Sequence, residues 1–308
     1  MWALSGRYAV WSLVVMRTRE LAAACFCLLR LPLGAPESSA IVSVGSRSYF
    51  GMTLPLLPLD EKGFFALPHV PGGPRNATVA LDVGVLRACD FSKQVLADPS
   101  FVVIGFEPNY AMVQRQIFVH DRVLLLPVAV SSREGFQTLH VSNHPGCASL
   151  SAPAGNYTGK EFTMMGGLMH LSKDCVIAAK DVAVPTISLE SVLRRIPPVK
   201  KILVKIDAQG YDFEVIKSAG AQLRRVEAAV LETQDAPIGL RLYQSQVPRA
   251  TIIEFMRRSG FRTHSCQGLS RVARYLGEAD CAFCRKAACS LRDWMHDSDV
   301  DAIHVTPP

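Results

Sequence analysis

From Thr78 onward, short apolar runs alternate with longer amphipathic ones. Thr78–Asp82 reads as a strand stopped by Gly84, and residues 88–97 as a helix. Phe101–Phe106 is a continuous apolar strand ended by Glu107-Pro108, and Tyr110–Phe118 follows with helical spacing. Val123–Val130 is a third strand, in which Pro127 marks a bulge or an end. Lys201–Ile206 and Val226–Leu231 are the fourth and fifth. Phe213–Ala219 is a short helix stopped by Gly220, and Arg249–Ser259 a longer one stopped by Gly260. Phe261–His264 and Ala302–Val305 are closing strands.

Continuously apolar strands are buried on both faces, and strand–helix alternation implies parallel pairing through right-handed crossovers. The expected fold is an α/β, mostly parallel sheet with helices on both faces. Ligands of such sheets bind beyond the carboxyl ends of the strands, where the strand order reverses. The segments to inspect are Asp82–Gly84, Glu107–Asn109, Val128–Val130, Asp207–Gly210 and Glu232–Gln234. Four of the five begin with a carboxylate, and accepting hydrogen bonds from ligand hydroxyls or amines is one reason to end a buried strand that way. Gly135–Val141 alternates instead, as a half-exposed antiparallel strand does. It opens an insertion over 140–182, rich in Gly, Pro, Met and His, that reads as a lid or substrate region. Met164, Met165, Leu168 and Met169 there read as helix packing before pocket lining.

Composition narrows the class. With 308 residues, 49% apolar and 19% charged, the chain is too hydrophobic for disorder and long enough to need no disulfide staples. No 18-residue apolar run is present. The net charge of +6 belongs to the ends: residues 249–286 carry +5 and residues 1–40 carry +2, so the body is nearly neutral. The basic stretch interleaves Phe255, Phe261 and Tyr275, which read as core, and nucleic acid is not an expected partner.

Residues 1–70 read as a leader or extension, and 71–308 as the main domain with its insertion and a basic, cysteine-rich end. Arg17 and Arg19 precede the apolar run Leu21–Leu29, and small residues follow at Gly34, Ala35 and Ser38–Ala40. That order suits a secretory signal, an organelle transit peptide or a plain apolar extension, and membrane association is expected only through this segment. Sequons at Asn76-Ala-Thr78 and Asn156-Tyr-Thr158 matter only on the secretory route. Cys89, Cys147 and Cys175 read as buried small apolar residues. Cys266, Cys281, Cys284 and Cys289 cluster, but Cys281-x-x-Cys284 is a single knuckle, so free thiols or a local disulfide are expected before a metal, and no metal site is assigned.

Asp82-x-Gly84 followed by Glu107, 25 residues after Asp82, is a nucleoside-binding layout: the glycine admits close backbone approach and the glutamate takes two ribose hydroxyls. The Gly-x-Gly-x-x-Gly phosphate turn is absent, which argues against a dinucleotide. Four stretches resemble the FkbM family of S-adenosylmethionine-dependent methyltransferases. They are Leu81–Gly84 with Phe91-Ser92, Val103–Asn109, Pro127–Phe136, and Pro185–Leu193 followed by Lys201–Gly220 and Glu232. The likeness spans about residues 76–265, and the Lys205–Gly220 block is its specific part.

The resemblance implies a class I methyltransferase (Rossmann-like) fold, S-adenosyl-L-methionine as cofactor, and methylation of a hydroxyl on a small molecule or glycan. Carried over by position, Asp82, Gly84 and Ala88 line the cofactor's amino-acid end. Glu107 holds the ribose, with Pro108 and Asn109 beside it. Val128 and Ala129 border the adenine, and Asp207 faces the methyl-transfer site with Lys205 on the same strand face. Asp207 is the expected general base, followed by His144 or His170. Ala88 stands where a second glycine is usual, Asp212 where the family has Glu, and Leu86 and Arg87 are bulky for this turn. A non-catalytic binding protein with a degenerate cofactor site is therefore the alternative, and a nicotinamide oxidoreductase a more distant one.

Overall fold

The computed structural model describes residues 46–49, 52–55, 57–86, 90–115, 120–154, 175, 178–235, 241–267 and 278–286. The chain clusters into two units, Met1–Ile41 and Val42–Pro308, and the first lies outside the described residues. So do the leader's apolar run, Arg87 to Cys89, Met164 to His170, Asn156, Tyr275, Cys289 and the expected strand Ala302–Val305.

The second unit opens with an antiparallel hairpin of β1 (Ser46–Tyr49) and β2 (Met52–Pro55). The seven-stranded sheet contains β3 (Thr78–Val83), β4 (Phe101–Phe106), β5 (Val123–Leu126), β9 (Lys201–Ile206), β10 (Ala228–Gln234), β11 (Thr263–Gln267) and β12 (Glu278–Cys284). Its spatial order is β11-β12-β10-β9-β3-β4-β5. The five strands from β10 to β5 pair in parallel, while β12 runs antiparallel to both β10 and β11. Order reverses between β3 and β9, the switch point at which α/β sheets bind ligands.

Every residue of β3 and β4 is buried, as a doubly covered parallel sheet requires. One face carries Leu81, Ile104, Val204 and Leu231. It is covered by α3 (Leu189–Arg195), α4 (Asp212–Lys217) and α5 (Arg249–Arg258) through Leu193, Ile216 and Met256. The opposite face carries Ala80, Val103 and Leu203 under Phe91 and Val95, at and within α1 (Ser92–Ala97). The fourth-strand block is shaped at both ends by local chemistry: the Ser188 hydroxyl caps α3 by accepting from Ser191 N–H, and Gly220 takes φ +50° after α4.

The structure corrects the sequence reading at several elements. The run Val123–Val130 is not one strand. It breaks at Pro127 into β5 and β6 (Ala129–Ser131), and β6 leaves for a separate three-stranded sheet with β8 (Ala178–Ser188) and β7 (Gly135–Ser142). Proline donates no hydrogen bond to a ladder, so the chain changes sheets there. The helix expected over Tyr110–Phe118 is described only as α2 (Tyr110–Val113), and residues 116–119 lie outside the described residues. β8 and β12 were not anticipated. Cys147 and Cys175, read as separate apolar residues, are joined in a disulfide. Cys266 and Cys281 are paired across the β11–β12 ladder, so neither is a free thiol or metal ligand, and Cys284 is also disulfide-bonded.

Candidate active site

The ladders of β3, β4 and β9 continue past the strands and bring their ends to one edge. Gly84 N–H donates to Phe106 O (2.9 Å), Glu107 N–H to Leu126 O (3.0 Å), and Asp207 N–H to Val83 O (2.9 Å). In the β3–β9 register Asp82 lies directly beside Lys205. Parallel neighbours share a face, so the surface that is apolar at Ala80 and Leu203 turns ionic two residues on.

Asp82 is fully buried. Its Oδ2 accepts from Asp90 N–H (2.9 Å), while Oδ1 has no hydrogen-bond partner. Burial pushes its carboxyl up to about 7, against the pull of Lys205. The Lys205 ammonium lies 2.7 Å from Asp90 Oδ2 and 3.1 Å from Asp207 Oδ2. Burial disfavours the Lys205 charge, but Asp207, Asp90 and Asp82 outweigh it and hold the ammonium protonated well above the ordinary lysine range. Lys205 is therefore an electrostatic anchor and not a proton acceptor.

Glu107 is also buried, its Oε1 accepting from Asn109 N–H (2.6 Å). Burial raises it to about 8, the Asn109 bond pulling the other way. A carboxyl held this way gains from hydroxyl donors, which stabilise its ionised form. Pro108 and Asn109 are half-buried beside it. Val128 and Ala129 are buried and packed in two different clusters. Ala88 lies outside the described residues, as does Arg87; Leu86 is 37% exposed.

Gly84 takes φ +90°, and a Cβ there would lie 2.0 Å from the carbonyl oxygen of Asp207. Gly210, at φ +81°, is pressed against the Tyr243 ring, 2.5 Å from where a Cβ would stand. Between them Gln209, with φ 52°, is a non-glycine residue in the left-handed region. Its amide nitrogen donates to Asp207 Oδ1 (2.7 Å) and Glu232 Oε2 (3.2 Å), and its oxygen faces the buried Tyr243 hydroxyl (3.0 Å). Asp212 closes the turn by accepting from Ala208 and Gly210 N–H.

Glu232 is held well above the usual carboxylate range by burial and then by Asp207 and Glu278. Burial and the same Asp207 charge raise Glu278 to about 7. Among the described residues the strand ends thus form a carboxylate-rich edge with Lys205 as its cation, a setting that suits a positively charged ligand with hydroxyl and amine donors.

The structure brings together Asp82, Gly84, Glu107, Lys205 and Asp207, as the strand-end rule anticipates. His144 makes no direct bond to that group; its Nδ1 accepts from Gly146 N–H and lies 3.6 Å from Cys147 Sγ, and Cys147 O accepts from the Tyr243 hydroxyl that also meets Gln209. Asp90, Gln209, Asp212, Glu232, Tyr243 and Glu278 complete the edge and were not among the assigned site residues. Asp212 and Gln209 sit inside the Lys205–Gly220 block and were within reach of it; Tyr243 and Glu278 carry no local signal. A separate cavity of about 510 Å³ lies at the amino end of β9, lined by Lys200, Lys201 and Arg225 among others. The Arg225 guanidinium there is already spent on the carbonyls of Leu193, Ile196 and Pro197.

A family model described as the methyltransferase FkbM domain matches residues 82–263. No curated protein sequence matches the chain significantly. Among solved structures, the precorrin-6y C5,15-methyltransferase of Geobacter metallireducens is similar at 13% identity with a TM-score of 0.31, over 69% of this chain and 82% of that one.

Proposed function

The chain belongs to the FkbM methyltransferase domain family, and from that premise we propose that it uses S-adenosylmethionine to methylate a hydroxyl of a small molecule or glycan. When bound, S-adenosylmethionine supplies an electrophilic methyl group on a positively charged sulfur. The observation that carries the reading is the carboxylate edge formed by Asp82, Glu107 and Asp207 at the switch point, with Asp82 Oδ1 buried and unpaired. An orphaned buried acceptor costs about 1–3 kcal/mol until a donor reaches it, so a ligand amine or hydroxyl is favoured there. Glu107 is placed to accept from ribose hydroxyls, and the missing side chain of Gly84 lets the ligand approach the backbone.

Asp207 does the acid–base work. A hydroxyl is a weak nucleophile until its proton leaves, and Asp207 would accept that proton from the acceptor hydroxyl. Lys205 and Gln209 each hold one Asp207 oxygen, so the carboxylate is oriented before substrate arrives. Isothermal titration of the folded chain tests the reading. Saturable heat with S-adenosylmethionine and with its demethylated product is expected, lost in Glu107→Ala. No heat with either would sink it and leave the non-catalytic binding protein.

A further inference from the structure

Five cysteines lie among the described residues, and all five are disulfide-bonded: Cys147 to Cys175, Cys266 to Cys281, and Cys284. These bridges are not confined to one exposed loop. Cys281 and Cys284 are fully buried in β12, and Cys147 is buried next to the site, where its carbonyl lies 3.2 Å from the Tyr243 hydroxyl. Reducing compartments keep such thiols free, whereas paired cysteines throughout a fold are the mark of the secretory route or the cell exterior. A domain with this apolar core needs no staples to fold, so their presence reports where it folds.

The second observation is independent. Asn76-Ala77-Thr78 is an N-glycosylation sequon with no proline at its middle position. Asn76 ends the short 3₁₀ turn Pro74–Asn76 and is exposed, as are its neighbours Pro71, Gly72, Pro74 and Arg75. Gly72 has φ +78°, and the place its side chain would fill lies 2.0 Å from Asn76 Nδ2. The Asn76 amide thus packs over Gly72, in a place that a side chain at residue 72 would take. Thr78 begins β3, while Asp82 lies near its other end. Four residues at about 3.3 Å each separate them by about 13 Å, so a glycan on Asn76 stands at the pole away from the carboxylate edge.

We propose that this protein folds in the oxidising lumen of the secretory route and carries an N-linked glycan on Asn76. The donor class is an oligosaccharide linked to a lipid diphosphate. The Asn76 Nδ2–C1 bond forms as the C1–O bond to the diphosphate breaks; the amide loses one proton and the lipid diphosphate leaves. Each bridge forms by exchange with a disulfide oxidoreductase of that compartment, which takes up two electrons as two thiol protons are released. The inference is separate from methyl transfer, and its test reads no activity.

The test is expression of the full chain, with no added leader, in a eukaryotic cell. Peptide-N-glycosidase treatment should shift the wild-type band. Asn76→Gln and Thr78→Val should each remove one step of that shift, and Thr78→Ser, which keeps the sequon, should restore it. Peptide mapping after alkylation without reduction should find Cys266 and Cys281 linked. A wild-type band untouched by the glycosidase, a band pattern unchanged in Asn76→Gln, or freely alkylated Cys266 and Cys281 would each overturn the proposal.

Discussion

Gly84 and the main chain of Asp207 are in such close approach that a single added carbon at residue 84 would stand 2.0 Å from the Asp207 carbonyl oxygen. The ends of β3 and β9 meet there, at the reversal of strand order. Gly84→Ala should therefore act twice, through the φ of +90° and through the overlap. The conformational cost alone is about 1–3 kcal/mol, and urea unfolding should show at least that loss. A variant as stable as the wild type would mean that the two strand ends are not this close.

Lys205 answers to Asp90 and Asp207 together. Lys205→Met should lose about 1–3 kcal/mol, because it leaves the half-buried Asp207 and the buried Asp82 without their cation. The loss should exceed that of Lys217→Met, because the Lys217 side chain is 48% exposed against 13% for Lys205. Equal midpoints for the two in urea would place Lys205 in bulk solvent.

Glu107 sets a trade between stability and binding. Its folded-state carboxyl is raised to about 8 from an ordinary 4.5. A raised group contributes stability that is complete below its unfolded value and lost as pH climbs through the folded one. The ligand-free protein should therefore weaken between about pH 4.5 and 8. Glu107→Gln should lack this component, so its stability relative to wild type should rise with pH, by a few kcal/mol at most. Thermal unfolding across pH 5–9 checks the sign, and a relative stability that falls with pH would contradict it.

The same ionisations favour a positive ligand. Asp82 is raised to about 7 and Glu107 to about 8. From pH 6 to 9, affinity for S-adenosylmethionine should climb relative to its demethylated product, which lacks the sulfonium charge. About tenfold is a modest expectation for unit charges some 6 Å apart at an effective dielectric near 20. Parallel pH profiles for the two ligands would show that the carboxylates do not feel the sulfur.

Cys266 and Cys281 close a loop across 15 residues and tie the edge strand β11 to β12. Replacing both with Ser should cost about 3 kcal/mol, the stabilisation expected for a cross-link of that span. An unchanged urea midpoint for the oxidised wild type and the double variant would deny the bridge any such role.

The parallel core was readable in one dimension because strands covered on both faces are apolar throughout, as Leu81 and Ile104 illustrate. β12 escaped because Glu278, Asp280, Cys281 and Cys284 dilute that signal and draw the eye to thiol chemistry. β6 escaped for a different reason. Val128–Val130 continues the apolar run of β5, and its departure to another sheet depends on pairing with β8, more than 50 residues later.

For the site, the sequence by itself determined the family and the identity of its central carboxylates and lysine, since Asp82, Glu107, Lys205 and Asp207 each mark the end of a legible strand. Only the tertiary structure decided what surrounds them. Gln209 bridges Asp207, Glu232 and Tyr243 because β10 and a distant loop close on a turn that Gly210 leaves bare. Glu278 joins them only through the antiparallel placement of β12 beside β10. Strand endings are local properties of the chain; the burial that raises those carboxyls, and the lysine charge that opposes it, exist only once distant segments exclude water together.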